Sequence, residues 1–455
     1  MTGPDTTANE PIADLAAFVA DCSYHDVPDE AIRLVERAIL DTVGVTIAGS
    51  STEVAAAALA TVAGEEGETT VIGRDESLPL GDAVFVNGTA GHALDYDDVA
   101  LAAMDGHPSV PMVAPLLAVG EREGASGRDV LTGYVAGFET QHYVSSPISP
   151  GHYEGGWHAT STIGVFGAAA AVANLLDLTV EETTHALNVA ASMASGLKKN
   201  FGSSTKPLHA GHAARSGTMA ALLAANGATA DPTAIDGERG FLDLYRGDGT
   251  PDFERLSDLD LGSRWSILEE GVDVKKYPCC YYTHAAIHGA ADLARERGLE
   301  PDDVESVTVA ASRGAADALH HDDPSTGLEA KFSMPYVVAR AIVDRVDLAA
   351  FDDENVGDED VQAVRERVTL TVDEDEPYDS NAARVAVRTR DGETLERYQE
   401  RPPGTYEDPL SIDELREKFL LCAEYADGEV RADAALDALD TLRDVPDVSG
   451  ALEHL

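Results

Sequence analysis

Residues Gly164 to Ala173 read Gly-Val-Phe-Gly-Ala-Ala-Ala-Ala-Val-Ala, with no charged or hydrogen-bonding side chain. A helix of that composition is apolar on more than one side and has to lie inside other helices. The flanking sequence supplies them. Pro28-Asp29-Glu30 opens a stretch with Ile32, Val35, Ile39 and Val43 at three-to-four spacing, stopped by Gly49. Thr52 to Ala63 is Ala-rich and ends at Gly64. A further helix follows Pro108 and Pro111 through Leu116 and Val119 to the region of Gly124, and 129–144, 159–176, 179–196 and 210–226 continue the series. Thr179-Val180-Glu181-Glu182 has the capping-box arrangement at a helix start. From Pro11 to Tyr245 the pattern is thus helical almost throughout.

The character changes near Leu261. Residues 304–309, 368–372 and 384–388 alternate as strands, and 394–399 returns after an Asp391-Gly392 turn. Helices are expected between them at 282–297, 328–344 and 359–367. This defines a smaller α+β domain over 265–402, closed by Pro402-Pro403-Gly404. Helical patterns at 411–426 and 434–443 then return the chain to the first domain. The expected fold class is mainly α, with a helical domain built from 1–264 and 403–455.

The chain carries 82 acidic and 32 basic residues in 455, a formal charge of −50. Nucleic acid and anionic membranes both demand clustered lysine and arginine, so neither is an expected partner. The acids are spread along the chain and 44% of residues are hydrophobic, which excludes a disordered acidic tail. A folded protein with this charge repels itself unless salt screens it, so a salt-adapted protein is expected. Four cysteines, two of them adjacent (Cys279, Cys280), do not make a disulfide framework. Met1 to Glu10 is polar, without the regions of a signal peptide, and no apolar run reaches membrane-spanning length. A cytoplasmic location is expected on these grounds.

Only seven lysines occur: Lys198, Lys199, Lys206, Lys275, Lys276, Lys331 and Lys418. Six fall in three short segments, where local positive potential in a −50 chain suits a small anionic substrate. Histidines join them. His92 and His107 flank Asp95, Asp97 and Asp98; His107 and His158 each follow a glycine-containing loop just before an expected helix start, where free N–H groups and the helix dipole favour carboxylates. His209 and His212 have a ligand-like spacing, and with Asp97 they offer a metal-dependent hydrolase as an alternative, but no second dense ligand pair completes a zinc site. Phosphate-binding and Ser-hydrolase motifs are absent from the sequence.

His92-Ala-Leu-Asp95-Tyr-Asp-Asp98, Gly106-His107-Pro-Ser109, Gly156-Trp-His158-Ala-Thr-Ser161, Phe201-Gly-Ser-Ser-Thr-Lys206-Pro-Leu-His209, Lys275-Lys-Tyr-Pro-Cys-Cys280 and Lys331-Phe-Ser-Met-Pro-Tyr336 resemble, in order, segments of the MmgE/PrpD family, which includes 2-methylcitrate dehydratase, cis-aconitate decarboxylase and iminodisuccinate epimerase. The resemblance implies a large helical domain with an inserted α+β lid, a homodimer, and catalysis without metal or organic cofactor. By motif match it puts the catalytic positions on Asp95, His107, His158, Lys206, Lys275 and Tyr336, with Lys199, His209 and Cys280 binding substrate. Two departures stand out. Val99 replaces a threonine, and Cys280 replaces a histidine of the decarboxylase, which counts against that activity. The implied reaction is loss of water from a small hydroxy di- or tricarboxylate. His107 and His158 would serve as base and acid, Asp95 would orient a histidine, and Tyr336 would donate a proton or hydrogen bond from the lid. Epimerisation, decarboxylation and a non-catalytic binding role are the alternatives.

The charge generates a first prediction. Unfolding temperature should rise steeply from 0.1 M to 2 M KCl; a salt-independent melting curve would remove the argument from self-repulsion.

Overall fold

A computed structural model describes residues 11–455 except 63, 65, 66, 379, 427 and 429; the signal-peptide reading of Met1 to Glu10 lies outside the described residues. The chain divides into two units. The first comprises residues up to Ala93, Asp97–Asp273 and Glu414–Leu455; the second comprises Leu94–Tyr96 and Val274–Asp413.

In the first unit the Gly164–Leu175 helix is buried from Gly164 to Ala173. It packs against the helices Gly127–Ser145, Thr205–Ala225, Val110–Glu123 and Val180–Ala191, which is the enclosure its composition demands. Thr179 caps the last of these reciprocally, its hydroxyl accepting from Glu182 N–H while the Glu182 carboxylate accepts from Thr179 N–H. Three details differ from expectation. The 159–176 helix is interrupted at Ile163, leaving a four-residue turn Ala159–Thr162 ahead of Gly164–Leu175. The helix expected from Ala210 starts at Thr205, because Pro207 in its first turn costs no intrahelical hydrogen bond. The unit is also not wholly helical, since Thr69–Thr70 pairs antiparallel with Ser77–Leu78; two-residue strands carry no alternation to read.

Small residues set how closely the helices approach. The Leu80–Ala93 and Thr205–Ala225 helices cross at Gly88 and Gly211. A Cβ on Gly88 would stand 2.9 Å from Gly211 Cα, and one on Gly211 would overlap Phe85 O and Thr89 Oγ1. This crossing brings the helix that ends with His92 against the one that begins with Lys206 and His209. The C-terminal segment closes the unit. Lys418 pairs with Asp41 at 2.6 Å, both buried, and Phe419 covers Gly44. Among the described residues no single helix is long and apolar enough to cross a membrane.

The second unit is α+β. Its four-stranded sheet has the order Val368–Val372, Val304–Ala311, Ala383–Thr389, Thr394–Gln399. The first pair is parallel and the other two antiparallel. Val304, Val307, Val309, Val385 and Val387 are buried with apolar residues of the helices His284–Arg297 and Met334–Val343. The helix expected over 328–344 is split into Gly327–Ala330 and Met334–Val343, with Ser333 capping the second piece by accepting from Tyr336 N–H. Lys331, in the break, donates to Leu94 O at 2.7 Å and Pro278 O at 2.6 Å. Those bonds tie the excursion Leu94–Tyr96 to this unit.

The glycine crossing is testable. Gly211→Ala should cost about 1–3 kcal/mol of stability, the usual penalty for overpacking, read by denaturant unfolding; an unchanged midpoint would show that the helices separate freely.

Candidate active site

The centre of the first unit holds a carboxylate cut off from water. Asp97 is fully buried and faces two imidazoles: His92 Nδ1 lies 2.8 Å and His107 Nδ1 3.1 Å from the same Oδ2. Each group is brought there by local backbone geometry. His92 occupies the last turn of the Leu80–Ala93 helix. Asp95 then takes a left-handed conformation (φ 53°), which aspartate tolerates better than most residues, and the chain turns so that Asp97 reaches back to His92. Gly106 runs so close to Thr160 that a Cβ would lie 2.8 Å from Thr160 N, and His107 N–H donates to Thr160 Oγ1 at 3.0 Å. Asp98 points the other way, accepting from Ser109 Oγ, so the adjacent carboxylates diverge.

Two more histidines extend the cluster. His158 precedes the Ala159–Thr162 turn, held by its N–H on Gly196 O at 3.1 Å. Its ring stacks on His92 at 5.5 Å and meets Phe201 edge-on at 4.9 Å. Its Nδ1 lies 3.0 Å from Nδ1 of His209. Lys206, one helical turn before His209, is buried with its ammonium 5.2 Å from the Phe201 ring centroid.

The electrostatics follow from burial. Burial lowers His92 to about 4 despite the facing Asp97, and it holds His158 well below the usual imidazole range, with His92 and Lys206 adding to the effect. Burial alone would raise Asp97, but the His107 and His92 imidazoles outweigh it and keep the carboxyl well below its usual range. Burial and then Asp41 push Asp98 well above that range. The site therefore offers an ionised carboxylate, Asp97, and two rings held neutral, His92 and His158, beside the Lys206 side chain, components suited to proton transfer beside a negative charge.

Of the expected site residues, His107, His158, Lys206 and His209 share this cluster. Lys199 is exposed on the Lys198–Asn200 turn. The second unit holds Asp95, Lys275, Cys280 and Tyr336. There Lys275 Nζ donates to Asp95 O at 2.8 Å and meets Asp95 Oδ1 at 3.1 Å; the carboxylate that faces histidines is Asp97, not Asp95. Cys280 is buried. Tyr336 does not present a proton: it is fully buried and donates its hydroxyl to Ala350 O, and burial raises it to about 12. Its helix puts it among Met334, Val337 and Val338 in the apolar core of the unit. His212 is exposed, and among the described residues His209, His212 and Asp97 do not form a group with metal-ligand spacing. Among the described residues the group with metal-ligand spacing is instead His92, Asp97 and His107, with ligand atoms within 4.8 Å of one another. Within it His92 Nδ1 hydrogen-bonds Asp97 Oδ2, and His107 Nδ1 stands within ion-pair distance of the same oxygen. His92 and Asp97 were left out of the expected catalytic and substrate-binding set; three acids within four residues gave no sign of which one faces inward.

Sequence profiles for the MmgE/PrpD N-terminal and C-terminal domains match residues 13–254 and 277–444. The chain belongs to the MmgE/PrpD family. Cis-aconitate decarboxylase of Mus musculus is 28% identical over 95% of this chain and 91% of its own. The Aspergillus terreus (strain NIH 2624 / FGSC A1156) enzyme of the same name is 26% identical over 97% and 95%. The mitochondrial 2-methylcitrate dehydratase of Yarrowia lipolytica is 24% identical over 73% and 67%. Both named activities are lyase reactions, and this MmgE/PrpD chain is an enzyme of that class.

Burial of neutral histidines makes stability pH-dependent. His152, outside the cluster, donates from Nδ1 to Tyr245 O (2.7 Å), has its Nε2 2.6 Å from Thr162 Oγ1, and is lowered to about 4 by burial. Its folded pKa lies below the unfolded value near 6.5, so the unfolded chain binds the extra proton as pH falls between the two. Stability is complete above pH 6.5 and is lost towards pH 4. His92 behaves alike, each contributing about 3 kcal/mol. Urea unfolding at pH 7 and pH 4.5 should show the loss, and His152→Gln should flatten it; an equally steep slope in that variant would refute the assignment.

Proposed function

We propose that this lyase removes water from a small hydroxy tricarboxylate or dicarboxylate without a metal or organic cofactor. The Asp97 carboxylate clasping His92 and His107, with Lys206 nearby, is the observation that carries the reading. Elimination needs a base to take a proton from carbon next to a carboxylate, a cation to hold the charge that builds there, and an acid to protonate the departing hydroxide. His107 and His158 are the base and acid. Asp97 directs Nδ1–H inward on the rings it holds and so leaves the outer nitrogen for chemistry. Lys206 supplies the cation. Two copies of the chain are proposed to form the working enzyme.

A second reading, loss of CO2 from cis-aconitate, is favoured by the names of the relatives at 26–28% identity. Cys280, standing where the resemblance places a histidine of the decarboxylase, supports dehydration instead. Both begin with the same stabilised negative charge.

Incubation with 2-methylcitrate, citrate, cis-aconitate and iminodisuccinate in molar salt, followed by proton NMR, separates the outcomes. Dehydration gives a new alkene from a hydroxy acid; CO2 loss from cis-aconitate would install the second reading; no turnover of any acid would overturn both. Lys206→Met should lower kcat/KM of the active substrate by at least about 100-fold, the scale of one lost charge-stabilising donor. Wild-type kinetics in that variant would remove Lys206 from the site.

A further inference from the structure

We propose that His209 is the proton relay of His158, carrying protons between that buried ring and solvent; the proposal rests on the lyase reading and adds a residue to its proton path. His158 is 2% exposed. Its neighbours are the stacked His92, the edge of Phe201, Lys206, and Nδ1 of His209 at 3.0 Å. His92 Nδ1 is already engaged by Asp97. His209 is half-buried, one turn into the Thr205–Ala225 helix, with His212 and Lys206 as its charged neighbours.

Two Nδ1 atoms at this distance form a hydrogen bond only if one carries a proton and the other does not, so the pair shares a single proton between the rings. Any lyase turnover leaves its acid one proton short or its base one proton over. When His158 gains a proton at Nε2, its Nδ1–H passes to Nδ1 of His209, and His209 releases the proton on its own Nε2 to water. The reverse sequence recharges His158, and no bond other than N–H is made or broken. Lys206 drives the transfer outward, because its charge opposes a cation on the buried ring more than on the ring that water can reach. A substrate-binding role for His209, the expectation from sequence, makes a different forecast: weaker substrate binding without any effect of added proton carriers.

The test uses the full chain in molar salt with His209→Ala, and His209→Asn as the variant that keeps a polar side chain should the alanine form fold poorly. The relay predicts kcat reduced by about tenfold or more with KM unchanged, and recovery on adding imidazole in proportion to its concentration. A raised KM with no imidazole response overturns it. A second readout needs no substrate. In 15N-histidine-labelled protein, exchange of the His158 ring proton with water should slow by about tenfold in the variant; exchange as fast as in the wild type overturns the relay. Should the wild type turn over none of the acids, the lyase reading falls, and the exchange measurement alone still decides the relay.

Discussion

A carboxylate removed from water is tolerated only where charge and hydrogen bonds surround it, and the first unit is arranged around meeting that demand at Asp97. Leaving such a group unpaired costs several kcal/mol. His92 and His107, supplied from opposite sides of a short excursion of chain, meet it together. The arrangement serves chemistry in turn, because a carboxylate that accepts from Nδ1 selects the tautomer whose other nitrogen is free. Stability and reactivity at this point are therefore the same interaction seen twice. Removing either histidine would leave the buried acid with one imidazole facing it in place of two.

Small residues are what let these groups meet. Gly88 against Gly211 sets the spacing of the two helices that carry His92 and Lys206, Gly106 against Thr160 sets the path of His107, and Gly196 against Ser161 sets that of His158. At each place a Cβ would sit within about the contact limit of a neighbouring atom. The richness in glycine and alanine that makes the Gly164–Leu175 helix a core element is, at these crossings, a device for bringing imidazoles within hydrogen-bond reach.

Strong periodicity made most of the fold legible in the sequence. The helices over Asp29–Ser50 and Gly127–Ser145, the hairpin at Asp391-Gly392 and the mainly helical character all follow from spacing and turn chemistry. What escaped has physical reasons. The Thr69–Thr70 ladder is too short to alternate. The first turn of the Thr205–Ala225 helix is polar and contains a proline, so it reads as loop. Around the candidate site, residue type and setting pointed to His107, His158 and Lys206, which the structure brings into one cluster, but not to Asp97 as the acid facing His92 and His107: the left-handed turn at Asp95 decides which carboxylate faces them, and spacing alone does not encode it. Tyr336 is the reverse case. Its neighbours Met334, Pro335, Val337 and Val338 already spelled a buried helix face, and the hydroxyl was satisfied by a nearby carbonyl.

The lysine count acquires a more exact meaning in this light. Exposed ion pairs such as Arg264–Glu269, Arg388–Glu305 and Arg313–Glu374 use arginine, whose planar fork matches a carboxylate in water. The buried lysines stand where a compact cation must enter a confined space. Lys418 neutralises the buried Asp41, Lys331 draws together two backbone carbonyls, and Lys275 does both at Asp95. At these three buried positions lysine therefore has a structural task. What separates Lys206 from the others is its company. It lies among imidazoles whose proton affinity its charge depresses, so its ammonium changes how readily neighbouring groups give up protons as well as how tightly the interior holds together.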